Sequence, residues 1–138
     1  MNTIQIKKEF NAPIEQVFDL LSKHATYNIA FAPIQVVRVK DAVDSEHPDG
    51  LGSIRRMGFG PIKPIQEQIT VFDINKRIEY KIINNPLIKH HIGIIEFEAV
   101  SANTTLVKYT IELQARAPFI SKLILAQLKV AITLGFSK

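Results

Sequence analysis

The sequence predicts an α+β fold in which a seven-stranded antiparallel sheet is covered by a long C-terminal helix. Residues 118–136 form the one segment long and regular enough for a helix of about five turns. Most of the preceding chain reads as strands divided by turn-forming residues. The dividing segments are short, so consecutive strands should form hairpins and lie side by side in one sheet.

The N-terminal elements are a strand and two short helices. Apolar and polar residues alternate at the start of residues 3–10, which favours a strand. Pro13 then begins a short helix, and a second helical turn is predicted over residues 24–30, ending before Pro33 because a residue that precedes proline avoids the α region. The apolar face of the first helix consists of Ile14, Val17, Phe18 and Leu21.

Six further strands are predicted between the short helices and the C-terminal helix. The segments between them are rich in glycine, proline, asparagine and aspartate, the residues that turns require. The predicted strands cover residues 34–41, 52–59, 64–73, 77–84, 89–100 and 104–115.

The C-terminal helix starts at Pro118 and carries an apolar stripe at three-and-four spacing, which needs a partner surface such as the sheet. Lys122 and Lys129 interrupt the segment, so we expect no membrane span. Its other side is also partly apolar and could form a homodimer surface. That surface would consist of Leu125, Val130, Ile132 and Phe136.

Composition limits the class of protein. The 138 residues correspond to a single domain over residues 1–138, and the chain contains no cysteine, which excludes disulfides and thiolate sites. The net charge is +4, but the basic residues are scattered, so we expect no nucleic-acid partner. The N-terminal run has no apolar signal region, and we expect a cytoplasmic protein. Nucleotide, phosphate and metalloprotease motifs are absent from the sequence, so we expect no cofactor and no metal.

The order of the predicted elements, from one end of the chain to the other, resembles that of a known protein family. Ala12-Pro13 leads into a helix, residues 27–33 lead into a strand, Gly52 opens the third strand, and Thr104-Thr105 opens the last. This pattern resembles the START and birch-pollen-allergen-like (SRPBCC) superfamily, in particular its polyketide cyclase/dehydrase-like branch. The resemblance implies a helix-grip fold, in which a curved sheet wraps around the C-terminal helix and leaves a pocket. It also implies a small hydrophobic or amphipathic ligand, such as a lipid, a sterol or a polyketide-like compound.

One hairpin register suggests a polar group inside that pocket. A turn centred on residues 60–63 would pair Arg56 with Glu67 and Ile54 with Ile69, whereas a one-residue slip would place Arg55 inside instead. The charge pair would then either fix the strands as a structural ion pair or anchor the polar group of a ligand.

Strand alternation supplies the remaining candidate site residues. Tyr80 and Tyr109 are either core tyrosines or ligand contacts, and His91 is a candidate general base. His90 and His91 are neighbours in a strand and point to opposite faces, so they should not share a metal ion. The candidate catalytic residues are Glu67, Arg56 and His91. The candidate ligand-binding residues are Ile54, Arg56, Glu67, Ile69, Tyr80, Ile82, His91, Ile95, Phe97, Tyr109, Ile111, Phe119, Leu123, Ile124 and Leu128.

Three functions fit these observations. The first is a non-enzymatic module that binds a small hydrophobic ligand between the sheet and the C-terminal helix. The second is a cyclase, aromatase or dehydratase that uses the polar residues of the same pocket for proton transfer. The third is an assembly protein that dimerises through its C-terminal helix and binds no ligand.

Overall fold

A computed structural model of the chain describes residues 2–23, 35–44, 46–59, 62–85 and 88–115. Within these ranges lie seven strands and one helix. They are β1 (Asn2–Phe10), α1 (Ile14–Ser22), β2 (Gln35–Lys40), β3 (Ile54–Phe59), β4 (Ile62–Asp73), β5 (Arg77–Ile83), β6 (Ile88–Ser101) and β7 (Thr104–Ala115). The seven predicted strands and the first predicted helix are therefore confirmed.

All seven strands belong to one antiparallel sheet with the order β1-β7-β6-β5-β4-β3-β2. From β2 to β7 each strand lies next to its neighbour in sequence, as short connections require. The first strand instead pairs with the last, so the chain crosses from one edge of the sheet to the other between β1 and β2.

Two of the predicted turns contain an asparagine in the left-handed conformation. Asn75 has φ 62° in the turn between β4 and β5, and Asn84 has φ 55° after β5. Asparagine tolerates positive φ better than most residues with a side chain, which explains its use at these turns.

One face of the sheet, which we call the inner face, packs against α1. Val17, Phe18 and Leu21 of this helix are buried as predicted. Phe18 contacts Phe72 and Phe97 edge to face, with ring centroids 5.4 and 5.0 Å apart. Thr105 Oγ1 donates a hydrogen bond of 2.9 Å to the carbonyl oxygen of Ala12 and holds the start of the helix against β7.

Neighbouring rows of residues cross the inner face from strand to strand. The row nearest α1 includes Phe97 and Val107, and the next joins Ile78, Ile95 and Tyr109. A third row contains Ile69, Tyr80, Gly93 and Ile111. The fourth contains Arg55, Glu67, Ile82, His91 and Leu113. The inner face is thus apolar at the α1 end and polar at the opposite end.

The predicted register between β3 and β4 is wrong by one residue. Arg55, not Arg56, lies opposite Glu67, while Arg56 pairs with Gln66. Phe59 pairs directly with Ile62, so the connection is tighter than the assumed four-residue turn. An irregularity between Met57 and Phe59 then shifts the pairing by one residue.

This register also moves Ile54 to the outer face. It pairs with Gln68 and lies between two buried residues of opposite orientation, Ser53 and Arg55. A second irregularity, between Ile69 and Val71, puts Val71 opposite Glu79 and returns Phe72 to the inner face. Val71 therefore does not share a face with Ile69.

Several predictions lie outside the described residues. These are the second short helix at residues 24–30, the C-terminal helix over residues 118–136, the candidate ligand contacts on that helix (Phe119, Leu123, Ile124 and Leu128) and the dimer surface on its other side. Among the helices that the structure describes, none is long and apolar enough to cross a membrane.

Candidate functional site

A buried ion pair forms the first part of the candidate site. Arg55 Nε and Nη2 each lie 2.9 Å from Glu67 Oε1, and both side chains are about 6% exposed. Burial raises the pKa of Glu67, and the nearby Arg55 guanidinium lowers it only in part. Desolvation therefore outweighs the attraction of the arginine at this carboxyl group.

The aromatic ring of Tyr80 lies between Arg55 and the backbone of β6. The guanidinium carbon of Arg55 is 4.7 Å from the centroid of the ring, within cation–π distance. On the other side the ring covers Gly93, its partner in the ladder, where an added Cβ would come within 2.2 Å of the ring. Only glycine at position 93 leaves room for the ring in this position.

Two tyrosine hydroxyls meet next to the ion pair. The hydroxyl groups of Tyr80 and Tyr109 share a hydrogen bond, and their rings are perpendicular, with centroids 6.3 Å apart. Burial, followed by the nearby Tyr109 and Glu67, raises the pKa of Tyr80 well above its usual value. Tyr80 is thus kept in its protonated form, as an O–H group.

His91 lies where the ladder between β5 and β6 ends. The last paired residues are Tyr80 and Gly93, and beyond them the backbone N–H of Ile82 donates a 3.0 Å hydrogen bond to His91 Nδ1. Since Nδ1 accepts this bond, the ring is neutral and its proton is on Nε2. Burial, together with the charges of His90 and Arg55, lowers the pKa of His91 to about 4.

We call Arg55, Glu67, Tyr80, His91 and Tyr109 the polar cluster. All five side chains are buried, and the rings of Tyr80 and His91 are 5.6 Å apart. The cluster combines a fixed cation, a carboxyl group, two phenol hydroxyls and a neutral imidazole. Such a set can bind an oxygen atom and can supply or accept a proton.

Ser53 is a further polar residue on the inner face. It is 0% exposed, and its hydroxyl is the one buried side-chain polar atom without a hydrogen-bond partner in the described part of the chain. Its backbone continues the pairing of β3 with β4, since its carbonyl oxygen accepts a 3.0 Å hydrogen bond from the N–H of Ile69. Sequence analysis did not single out this residue.

The structure brings most of the sequence-predicted residues to one face but not to one place. Glu67, Tyr80, His91 and Tyr109 meet in the polar cluster. Ile95 and Phe97 lie nearer α1, where Phe97 contacts Phe18. Ile69, Ile82 and Ile111 are also on the inner face, in the rows that contain Tyr80 and His91.

Two candidates do not reach the cluster. Arg56 is exposed and Ile54 lies on the outer face, both because of the register. Arg55, which was only the alternative in the sequence analysis, takes the position expected for Arg56. His90 points away from His91, and its Nε2 lies 3.3 Å from Glu112 Oε1.

Other features of the described chain lie apart from the cluster. A cavity of about 330 Å³ is lined by the end of α1, residues 46–50 and Phe72, and another of about 360 Å³ includes three lysines of the surface. Asp44, Glu46 and His47 hold one potential ligand atom each within 4.8 Å of one another, the only such trio in the described ranges. Asp44 and Glu46 are exposed, and none of these three residues belongs to the cluster.

Solved structures share this fold over nearly the whole chain. An aromatase/cyclase from Streptomyces sp. R1128 superposes with a TM-score of 0.75 at 15% identity, covering 96% of this chain and 87% of that chain. Norcoclaurine synthase from Thalictrum flavum, in complex with dopamine and hydroxybenzaldehyde, gives 0.66 at 14% identity, with coverage of 99% and 84%. The di-domain ARO/CYC BexL gives 0.71 at 18% identity, covering 97% of this chain and 45% of that chain.

At the level of sequence, no curated protein matches the chain. A family model does, and its description is "Polyketide cyclase / dehydrase and lipid transport". The match covers residues 1–133, nearly the whole sequence, and it agrees with the fold of the solved structures. The chain therefore belongs to the polyketide cyclase/dehydrase and lipid transport family.

Proposed function

We propose that the protein binds a small amphipathic molecule on the inner face of its sheet, with the polar cluster holding an oxygen atom of that molecule. The observation that carries the proposal is the position of the cluster. A buried cation and two buried phenol hydroxyls meet on the inner face, next to rows of isoleucine. An apolar surface with a few convergent polar groups is typical of small-molecule sites.

The electrostatics of the ion pair also favour binding over a purely structural role. An ion pair that mainly stabilised the fold would lower the pKa of its carboxyl group, whereas the pKa of Glu67 is raised. Buried charges are expensive, and apolar residues of similar size often serve stability equally well. A buried arginine that also stacks on an aromatic ring is well suited to bind a carbonyl, hydroxyl or carboxylate oxygen.

The comparisons support this choice of ligand class. The family description names both polyketide chemistry and lipid transport. One protein of the same fold is described in complex with dopamine and hydroxybenzaldehyde, two aromatic compounds that carry oxygen substituents. A small apolar molecule that carries an oxygen atom also matches the chemistry of the polar cluster.

A cyclase, aromatase or dehydratase acting on a polyketide-like substrate is the second candidate function. It is favoured by the hydrogen-bonded hydroxyls of Tyr80 and Tyr109 beside Arg55. Arg55 would stabilise negative charge on a carbonyl oxygen during enolisation, and Tyr80, kept protonated by its raised pKa, would donate a hydrogen bond to the same oxygen. The sequence analysis gave this role to Arg56, but the register places Arg56 outside the polar cluster and Arg55 inside it.

Binding of 2-naphthol provides a direct test, and its fluorescence is easy to follow because the protein contains no tryptophan. We expect wild-type protein to bind the probe and Arg55→Met to weaken binding about 10-fold, which corresponds to about 1.4 kcal/mol. The neighbouring variant Arg56→Met is the matched control and should remain within about twofold of wild type, a difference of about 0.4 kcal/mol. Equal binding by all three proteins would contradict the proposal.

Removal of Arg55 alone leaves Glu67 buried without its cation, so the single variant could fail to fold. The double variant Arg55→Met/Glu67→Leu removes both charges and keeps the measurement possible. The variant Tyr80→Phe distinguishes the two candidate functions. If the protein is an enzyme, this variant should lose far more of its turnover of a poly-β-ketone than of its affinity for the probe, to which Tyr80 contributes a single hydrogen bond.

A further inference from the structure

The unpaired hydroxyl of Ser53 is the feature of the described chain that the proposed function does not yet use. Ser53 is fully buried, and its Oγ has no hydrogen-bond partner among the described residues. A buried hydroxyl without a partner is unfavourable, because it gives up its bonds to water and receives none in return. Alanine at this position would avoid that loss, so the hydroxyl calls for a physical explanation.

The backbone pairing determines on which face of the sheet the side chain of Ser53 lies. The N–H of Ser53 donates to the carbonyl oxygen of Gly50 at 3.0 Å, and the N–H of Ile69 donates to the carbonyl oxygen of Ser53 at 3.0 Å. The second bond places Ser53 opposite Ile69, which belongs to the apolar core. Ser53 therefore lies on the inner face, two residues before Arg55 on the same side of the chain.

We infer that Ser53 is a second polar anchor of the same site, and that the ligand carries two oxygen atoms on one apolar frame. This inference rests on the proposed function. One oxygen binds at Arg55 and the tyrosine hydroxyls. The other forms a hydrogen bond with Ser53 Oγ, as acceptor or as donor. Among the described residues the hydroxyl has no partner, and ligand binding supplies one.

The positions of the two anchors restrict the ligand class further. Residues two apart on one strand are separated by about 6.6 Å. Arg55 extends to Glu67 on the neighbouring strand and over the ring of Tyr80. Two oxygens on neighbouring carbons of one ring are too close together for this spacing. Oxygens on opposite rings of a fused two-ring aromatic compound match it better.

A pair of probes that differ in one hydroxyl tests the inference. 2-Naphthol offers a single oxygen, and naphthalene-2,7-diol adds a second on the other ring. We expect wild-type protein to bind the diol at least about fivefold more tightly than 2-naphthol, a difference of about 1 kcal/mol. In Ser53→Ala this preference should disappear, while the affinity for 2-naphthol remains within twofold of wild type.

Two further variants keep the test decisive. Ser53→Cys has nearly the size of serine but only a weak hydrogen-bond donor, so it should lose most of the preference even if the alanine variant fails to fold. Thr105→Val is the control for removing a buried hydroxyl elsewhere, because Thr105 is also 0% exposed but has a partner within the chain. It should keep the full preference for the diol.

The outcomes separate this inference from the proposed function. If the wild-type and Ser53→Ala proteins prefer the diol over 2-naphthol to the same extent, Ser53 is not a ligand anchor although the site binds. The same conclusion follows if Ser53→Ala weakens the binding of both probes by the same factor, the result expected if the substitution only displaced a bound water. If neither probe binds to wild-type protein, the proposed function is wrong and the role of Ser53 fails with it.

Discussion

The absence of a side chain at Gly93 determines where the ring of Tyr80 lies. The ring of Tyr80 covers Gly93 so closely that a Cβ at position 93 would lie 2.2 Å from the nearest ring atom. This arrangement brings the ring under the guanidinium of Arg55 and its hydroxyl to Tyr109. The shape of the polar cluster therefore depends on a residue that contributes no functional group to it.

The substitution Gly93→Ala should destabilise the protein by about 1–3 kcal/mol, the usual range for an overpacked interior. The reason is the collision with the ring, which would also move Tyr80 away from Arg55. Urea unfolding monitored by circular dichroism measures the change. In the background of Tyr80→Leu, which lacks the ring, the same substitution should cost clearly less. A cost that is the same in both backgrounds would show that the contact does not determine the effect.

Ser53 and Gly93 share a property that sequence analysis could not detect. Each is a small residue whose importance depends on which residue faces it across the sheet. Alternation correctly predicted the orientation of Glu67, Tyr80, His91 and Tyr109, because alternation needs only the position of a strand. A glycine inside a strand indicates that another group approaches it, as at Gly93, but the identity of that group, like an unpaired hydroxyl, becomes visible only after the register of two strands is known.

At the scale of elements, register was the step that the sequence could not provide between β3 and β4. The prediction assumed a regular ladder and a symmetric turn, whereas the pairing of Phe59 with Ile62 and the irregularity at Met57 shift the ladder. Gly58, which lies between Met57 and Phe59, was the sequence signal for a bulge here, since a glycine inside a strand often marks such an irregularity. The irregularity decides that Arg55 lies inside and Arg56 outside, which changes the identity of the central residue of the site.

The end of the ladder between β5 and β6 makes stability depend on pH through His91. In the unfolded chain the pKa of His91 is 6.5, and in the folded protein it is about 4. Below pH 6.5 the unfolded state therefore binds more protons than the folded state, so stability falls as the pH decreases toward 4. At 1.36 kcal/mol per pKa unit the loss attributable to His91 approaches about 3 kcal/mol.

His91→Asn separates this contribution from those of other groups. Asparagine can accept the hydrogen bond from the Ile82 N–H through its side-chain oxygen, but it does not titrate. Glu67, with its raised pKa, acts in the opposite direction, since it stabilises the fold as the pH falls. The informative quantity is thus the difference in unfolding free energy between wild type and variant, measured from pH 7 to pH 4. A constant difference across this range would contradict the role given to His91.

At the scale of the whole molecule, the inner face divides into two parts with different tasks. The α1 end packs Phe18 against Phe72 and Phe97 and forms the apolar core. The opposite end gathers buried polar groups that a stable sheet does not require. The sequence predicted the sheet and the inward direction of most of these residues. It could not predict this division, which depends on the order of rows across strands far apart in sequence.

This division predicts that stability and binding can be altered in opposite directions. Arg55→Met should lose about 3 kcal/mol of unfolding free energy, because it leaves the carboxyl group of Glu67 buried without a cation. Arg55→Met/Glu67→Leu should recover this loss and reach, or exceed by up to about 2 kcal/mol, the stability of wild type, since apolar residues often replace a buried ion pair without cost. Urea unfolding of the three proteins at one pH measures both effects. If the double variant is as unstable as the single one, the ion pair holds the strands together and its role is structural. If it is stable but no longer binds 2-naphthol, the charges are retained for the ligand, because the fold then has no need of them.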